Sequence, residues 1–125
     1  AYRLLACISV ARREPQGALD AMLMALEIDP GSMACRHGAA LLLEEVGHRA
    51  LAAEIHDQTV SDAPLDVGAW AERAAFKLRA GDLNGALVDL RRALLTKPDH
   101  VPTILGQARV YRQLHRRTAA AVEAA

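Results

Sequence analysis

The side chains with the strongest claim to chemistry are two cysteines and a few histidines, and their spacing argues against a reactive centre. Cys7, Cys35 and His37 are the trio a metal would favour, since thiolate and imidazole are the usual ligands of zinc. Cys7 falls on a different predicted helix from the other two, about a helix diameter away, and no fourth ligand accompanies them. No metal is therefore expected. The same placement argues against a disulfide framework; both thiols read as small buried residues, which fits a reducing compartment. His48, His100 and His115 fall at predicted turns or caps, where imidazoles face solvent. No serine is set with a histidine and a carboxylate in a nucleophile motif, and no glycine-rich phosphate loop occurs. Catalysis by this segment is not expected, and no cofactor is implied.

The charged residues carry a different kind of information. The formal net charge is zero, yet residues 1–66 hold 5 Arg and 10 Asp or Glu, a balance of −5, whereas residues 67–125 hold 10 Arg or Lys and 5 acids, a balance of +5. Such polarity suits electrostatic steering of a partner, head-to-tail self-association through oppositely charged ends, or simply a solvated surface. The basic half lacks the interleaved aromatics of a nucleic-acid site, so nucleic acid is not an expected partner. No apolar run reaches membrane-spanning length and no signal segment is visible; a cytoplasmic protein without membrane insertion is expected. The chain begins with Ala1 and ends in mid-pattern, as a fragment or processed product would.

The elements that hold these residues are helices, and the clearest are in the stretch from Val67 to His100. Trp70, Ala74, Phe76 and Leu78 recur at helical spacing, and Ala86, Leu87, Leu90, Ala93 and Leu94 make a second stripe. Asp66 precedes the first stripe as a candidate N-cap, Gly81 can adopt the left-handed conformation that ends a helix, and Pro98 cannot continue the second. The reading is helix, tight turn, helix, stop. Related signals recur in register: Pro30, Pro64 and Pro98 stand 34 residues apart, as do Ala18, Ala52 and Ala86, and Gly47 recurs as Gly81. Helices are expected at about 2–12, 16–28, 33–46, 49–61 and 101–114 around this unit. Pro15 is placed in a first turn, where its missing N–H costs little, and Ser32 is a cap. The buried sides should include Leu26 and Ile28 in the second of these helices, and Leu51, Ala52, Ile55 and Val60 in the fourth. The tail from Arg116 to Ala125 has a helix-forming composition but only one large aliphatic residue, Val122, and would be marginal alone.

In residue type and spacing this pattern resembles the tetratricopeptide repeat, over nearly the whole chain. Trp70, Gly81-Asp82, Ala86, Ala93 and Pro98 carry the resemblance in the central unit. In the second repeat Gly47, Ala52 and Pro64 fit, but Arg36 stands in the place of Trp70 and Thr59 in that of Ala93, so looser pairing is expected there. The first repeat has Tyr2, Ala18, Ala25 and Pro30, with Arg13 for the turn glycine; the fourth has Ile104, Ala108, Tyr111 and Ala120, with His115 for the glycine. The resemblance implies an all-α, right-handed α-solenoid of about three and a half helix-turn-helix repeats in one domain, at about 1–32, 33–66, 67–100 and 101–125, the last truncated. Stacked neighbours would bury what two helices leave uncovered, and Tyr2, Trp70, Phe76 and Tyr111 read as packing residues.

In such a family the first helix of each repeat lines a concave groove that binds a peptide segment of a partner protein. Residue by residue, the resemblance places Arg3 and Cys7 there from the first repeat and His37, Leu41 and Glu44 from the second. Glu72, Ala75 and Arg79 come from the third, and Arg109 and Arg112 from the fourth. Small residues at Gly38, Ala71, Ala75 and Gly106 would let a peptide approach the helix backbones, with charged flanks setting partner choice. Repeats that clamp acidic C-terminal tails need convergent donors; the matching positions here are Arg3, Cys7, Gly38, Gly68 and Glu72, and no such clamp is expected. The reading is a protein-interaction scaffold. Two alternatives are the non-catalytic repeat region of a larger enzyme, since similar repeats precede sulfotransferase, glycosyltransferase and oxygenase domains, and a self-assembly module.

Overall fold

The caps, turn glycines and prolines between residues 28 and 101 bound their helices where the sequence put them. In the computed structural model, which describes residues 15–124, the described residues form six helices and no strand. They are α1 (Pro15–Ile28), α2 (Met33–Glu45), α3 (Arg49–Asp62), α4 (Val67–Arg79), α5 (Leu83–Thr96) and α6 (Val101–Ala124). Ser32 caps α2 by accepting from the Cys35 amide at 3.2 Å. Asp66 caps α4, its Oδ1 accepting from the amides of Gly68 at 2.9 Å and Ala69 at 3.4 Å. Each cap satisfies amides that a helix N-terminus leaves without a partner.

The 34-residue period extends to individual hydrogen bonds. In the α2–α3 turn, the Gly47 amide donates to Glu44 O and the His48 amide to Leu43 O; in the α4–α5 turn, Gly81 donates to Leu78 O and Asp82 to Lys77 O. Both glycines have positive φ, 95° and 87°, the left-handed geometry that closes a helix and turns the chain back. The aromatic position repeats as well. Trp70 Nε1 donates to Pro64 O at 2.8 Å, and 34 residues earlier Arg36 Nε donates to Pro30 O at 2.7 Å. Arginine thus makes the contact of the missing indole, tying the start of its helix to the preceding proline turn as the tryptophan does.

The chain divides into two compact units, with the boundary between Ser61 and Asp62. In the first, α1 packs on α2, and Ala18, Leu19, Ala21, Met22 and Ala25 of α1 and Cys35, Ala39, Ala40, Leu42 and Leu43 of α2 are buried. The Met22 methyl occupies the space that a Cβ on Gly38 would need, so this glycine is a packing residue that brings α1 close to α2, and not part of an open slot. Two residues depart from the expected buried stripes. Ile28 is 70% exposed and Leu51 48%. On α3 the buried row runs Ala52, His56, Thr59 and Val60, and Leu51 lies one residue off it.

In the second unit α4 packs on both α5 and α6, and α5 on α6. Ala74, Leu83, Ala86, Leu87, Leu90 and Val110 form the core, with Leu78 and Leu114 packed against it. His100 opens α6: its carbonyl accepts from the Thr103 and Ile104 amides, and its Nδ1 lies 2.6 Å from Thr103 Oγ1. α6 does not stop near residue 114 but runs unbroken for 24 residues, with His115 inside it. Histidine lacks the backbone freedom of glycine at that register position, and the arginines and alanines that follow favour continuation. The extension is anchored by Arg117, whose Nη2 donates to Gly81 O at 3.2 Å.

Candidate functional site

Small residues on α4 and α6 open a hollow in the second unit. Ala71, Ala74 and Ala75 on α4 and Gly106 on α6 have too little side chain to fill the space where these helices meet over α5. The result is an apolar cavity of about 240 Å³ floored by Leu90 and Val110, with Leu78 and Pro102 at its sides. A Cβ on Gly106 would lie 3.1 Å from Leu90 Cδ2, so glycine here sets the depth of the hollow. Glu72 and Arg109 also line it, placing one charge of each sign beside an apolar floor. The cavity is smaller than the roughly 300–1,000 Å³ of a typical small-molecule site and suits a single side chain.

Of the residues expected in a groove, the structure brings Glu72, Ala75 and Arg109 together at this cavity. Arg79 is exposed at the end of α4 and does not line it. Arg112 is exposed on α6 and, with Leu105, Ala108 and Arg109, edges a separate shallow depression. In the first unit His37, Leu41 and Glu44 lie along α2 at positions that share one face, His37 and Glu44 half-buried and Leu41 39% exposed. Arg3 and Cys7 lie outside the described residues. Cys35 is a free, buried thiol.

A buried charge of the second unit is not among the expected site residues. Asp89 on α5 is 2% exposed, and its Oδ2 lies 3.1 Å from Lys77 Nζ and 3.5 Å from Arg73 Nε, both on α4. Two cations thus face one buried carboxylate across the α4–α5 contact. The Arg73 guanidinium also stands 5.9 Å from the centre of the Trp70 ring, with Arg92 at 5.7 Å, within cation–π range. The periodicity does hold a signal for this carboxylate, because Asp89 falls within the buried row Ala86, Leu90 and Ala93. His56, 4% exposed, is the comparable case on α3, a polar residue set in the buried row between Ala52 and Val60.

This arrangement of short paired helices, left-handed glycine turns and proline stops has structural counterparts. The first TPR of Spaghetti (RPAP3), bound to the HSP90 peptide SRMEEVD, is similar at a TM-score of 0.72 and 16% identity, over 91% of this chain and 90% of that one. The Sgt2 TPR domain from Aspergillus fumigatus is similar at 0.76 and 18%, over 94% and 80%. A thermophilic TPR protein of Thermus thermophilus is similar at 0.73 and 22%, over 95% and 67%. No protein-family model matches the sequence, and no curated protein matches it. The chain has the tetratricopeptide-repeat fold, an all-α repeat architecture. Among the described residues no helix is long and apolar enough to cross a membrane.

Proposed function

We propose that this chain is a protein-interaction module that holds a peptide segment of a partner, with one bulky apolar side chain of the peptide seated between α4 and α6. The observation that carries this reading is the hollow itself: an apolar floor, walls of alanine and glycine that leave the helix backbones approachable, and Glu72 and Arg109 at its edge. Burying one large aliphatic or aromatic side chain is worth roughly 1.5–3 kcal/mol. That is an anchor, not a full affinity, so flanking contacts must supply the rest. Glu72 and Arg109 would favour a peptide with complementary charges on either side of the anchor and would set its direction. The exposed Leu41 on α2, flanked along its helix by His37 and Glu44, is a second candidate contact. Peptide capture by the Spaghetti domain is a precedent for the use of this fold, although fold alone does not fix function.

The test is a random-peptide library displayed and panned against the full chain, followed by affinity measurements on the selected peptides. Recovered sequences should share a bulky apolar residue with charged neighbours. Ala75→Glu puts a carboxylate into the hollow and should weaken binding by about tenfold or more, the equivalent of about 1.4 kcal/mol, with helicity by circular dichroism unchanged. Unaltered affinity in that variant would place the site elsewhere, and Leu41→Glu then tests the α2 face separately.

A further inference from the structure

We propose that copies of this chain associate head to tail, the outer face of α6 on one copy seating against the outer face of α1 on the next. The two faces are unusual for solvent-facing helix surfaces, and each is what the other lacks. On α6, Ile104, Leu105 and Tyr111 are 45%, 53% and 49% exposed, and they share their side of the helix with exposed Arg109, Arg112 and Arg116. No acid occurs between Asp99 and Glu123. On α1, Leu23, Met24 and Ile28 are 37%, 46% and 70% exposed, alternating with exposed Asp20 and Glu27. No cation occurs between Glu14 and Arg36. Scattered exposed apolar residues are ordinary, but rows of them bounded by charge of a single sign mark contact surfaces.

The rows also agree in pitch. Asp20 and Glu27 are seven residues apart, as are Arg109 and Arg116, so each pair spans two helical turns, about 10 Å. Laid side by side, the helices bring both acids within reach of the arginine row while Leu23 and Met24 face the Leu105 and Tyr111 side. Two copies of α6 would instead oppose arginine to arginine, which selects α1 as the occupant. Because the joined faces differ, every copy retains one open face of each kind, and the association is heterologous: it extends into a chain or closes as a ring. Arg109 belongs to both surfaces, but neither the arginines at positions 112 and 116 nor the acids of α1 line the cavity between α4 and α6, so substitutions at those four positions test the association apart from the cavity.

Light scattering of the full chain, from micromolar to millimolar concentration, should show mass rising with concentration at low salt and falling back as salt is added. Arg112→Glu with Arg116→Glu, and separately Asp20→Arg with Glu27→Arg, should each weaken association by about tenfold or more, since ion pairs are replaced by like-charge contacts. All four positions are exposed on helices, and unchanged circular dichroism will certify folding. An equimolar mixture of the two variants should associate again, because the reversed faces complement each other. A wild-type chain that stays monomeric at low salt overturns the proposal. So does either variant associating as the wild type does, or a mixture that remains monomeric.

Discussion

Replacing Asp89 tests how the second unit is held together. The carboxylate is 2% exposed, while its partners keep some access to water, with side chains 23% exposed for Arg73 and 21% for Lys77. Removing one member of a buried ion pair costs roughly 3–5 kcal/mol when the remaining charge is stranded. Here the stranded charges belong to long, flexible side chains about a fifth exposed, which can turn their heads to solvent. The expected loss for Asp89→Ala is therefore lower, about 2–3 kcal/mol. Lys77→Met should cost less again, because Arg73 still faces the carboxylate at 3.5 Å. The assay is urea unfolding followed by the fluorescence of Trp70, the only tryptophan in the chain, which lies on α4 beside Arg73. Circular dichroism on the same samples reports the helices as a whole. A shift of less than about 1 kcal/mol for Asp89→Ala, at constant slope, would refute the idea that this carboxylate is desolvated and that its two cations fix the pairing of α4 with α5.

The turn glycines give a second test. Gly47 and Gly81 have φ of 95° and 87°, and an added Cβ would meet nothing within 4 Å at Gly47 and only Arg117 Nη2 at 3.6 Å at Gly81. Gly→Ala should cost about 1–2 kcal/mol at each site through backbone strain alone, visible as a lower thermal midpoint; equal stability would mean that the turns relax to another conformation. A third concerns partner choice. The acidic peptide SRMEEVD, bound by the Spaghetti domain, should bind this chain no better than its scrambled version in fluorescence polarisation, because the positions that the family resemblance matches to carboxylate donors hold Gly68 and Glu72; selective binding would show that donors converge from elsewhere.

The sequence carries the fold through its punctuation. Ser32, Gly47, Asp66, Gly81 and the prolines act through local backbone geometry, which is the same whatever surrounds them, and their placement by register alone is enough. Much of the cavity is reached only through the family resemblance, which puts the small residues Ala71, Ala75 and Gly106 on the inner faces of their helices. What periodicity alone does not convey is how unlike residues meet in space. Arg36 reads as a weakening of the repeat, yet it reaches the Pro30 carbonyl with the same kind of N–H bond that Trp70 makes to Pro64; the shared requirement is a long side chain ending in a donor, not an aromatic ring. Asp89 and His56 fall in register with the buried rows of their helices, so periodicity places them inward, but it does not say which groups of the neighbouring helix they meet.

The end of the chain makes the same point in reverse. Ile104, Ala108 and Tyr111 fit the repeat pattern well, and in a complete repeat they would pack on a following antiparallel helix. Instead, α6 continues past His115, and Thr103 and Val110, both 0% exposed, carry its buried side. The matching residues are left facing outward. A pattern suited to burial therefore persists on a surface where the described residues place no helix, beside arginines that would be poorly suited to a purely apolar contact. Periodicity records that a residue is fit to be covered, while the covering element is decided by whether the next turn can form. At position 115 a histidine stands in place of glycine and the helix runs on, and the stripe exposed beside it is what the proposed association between copies would bury.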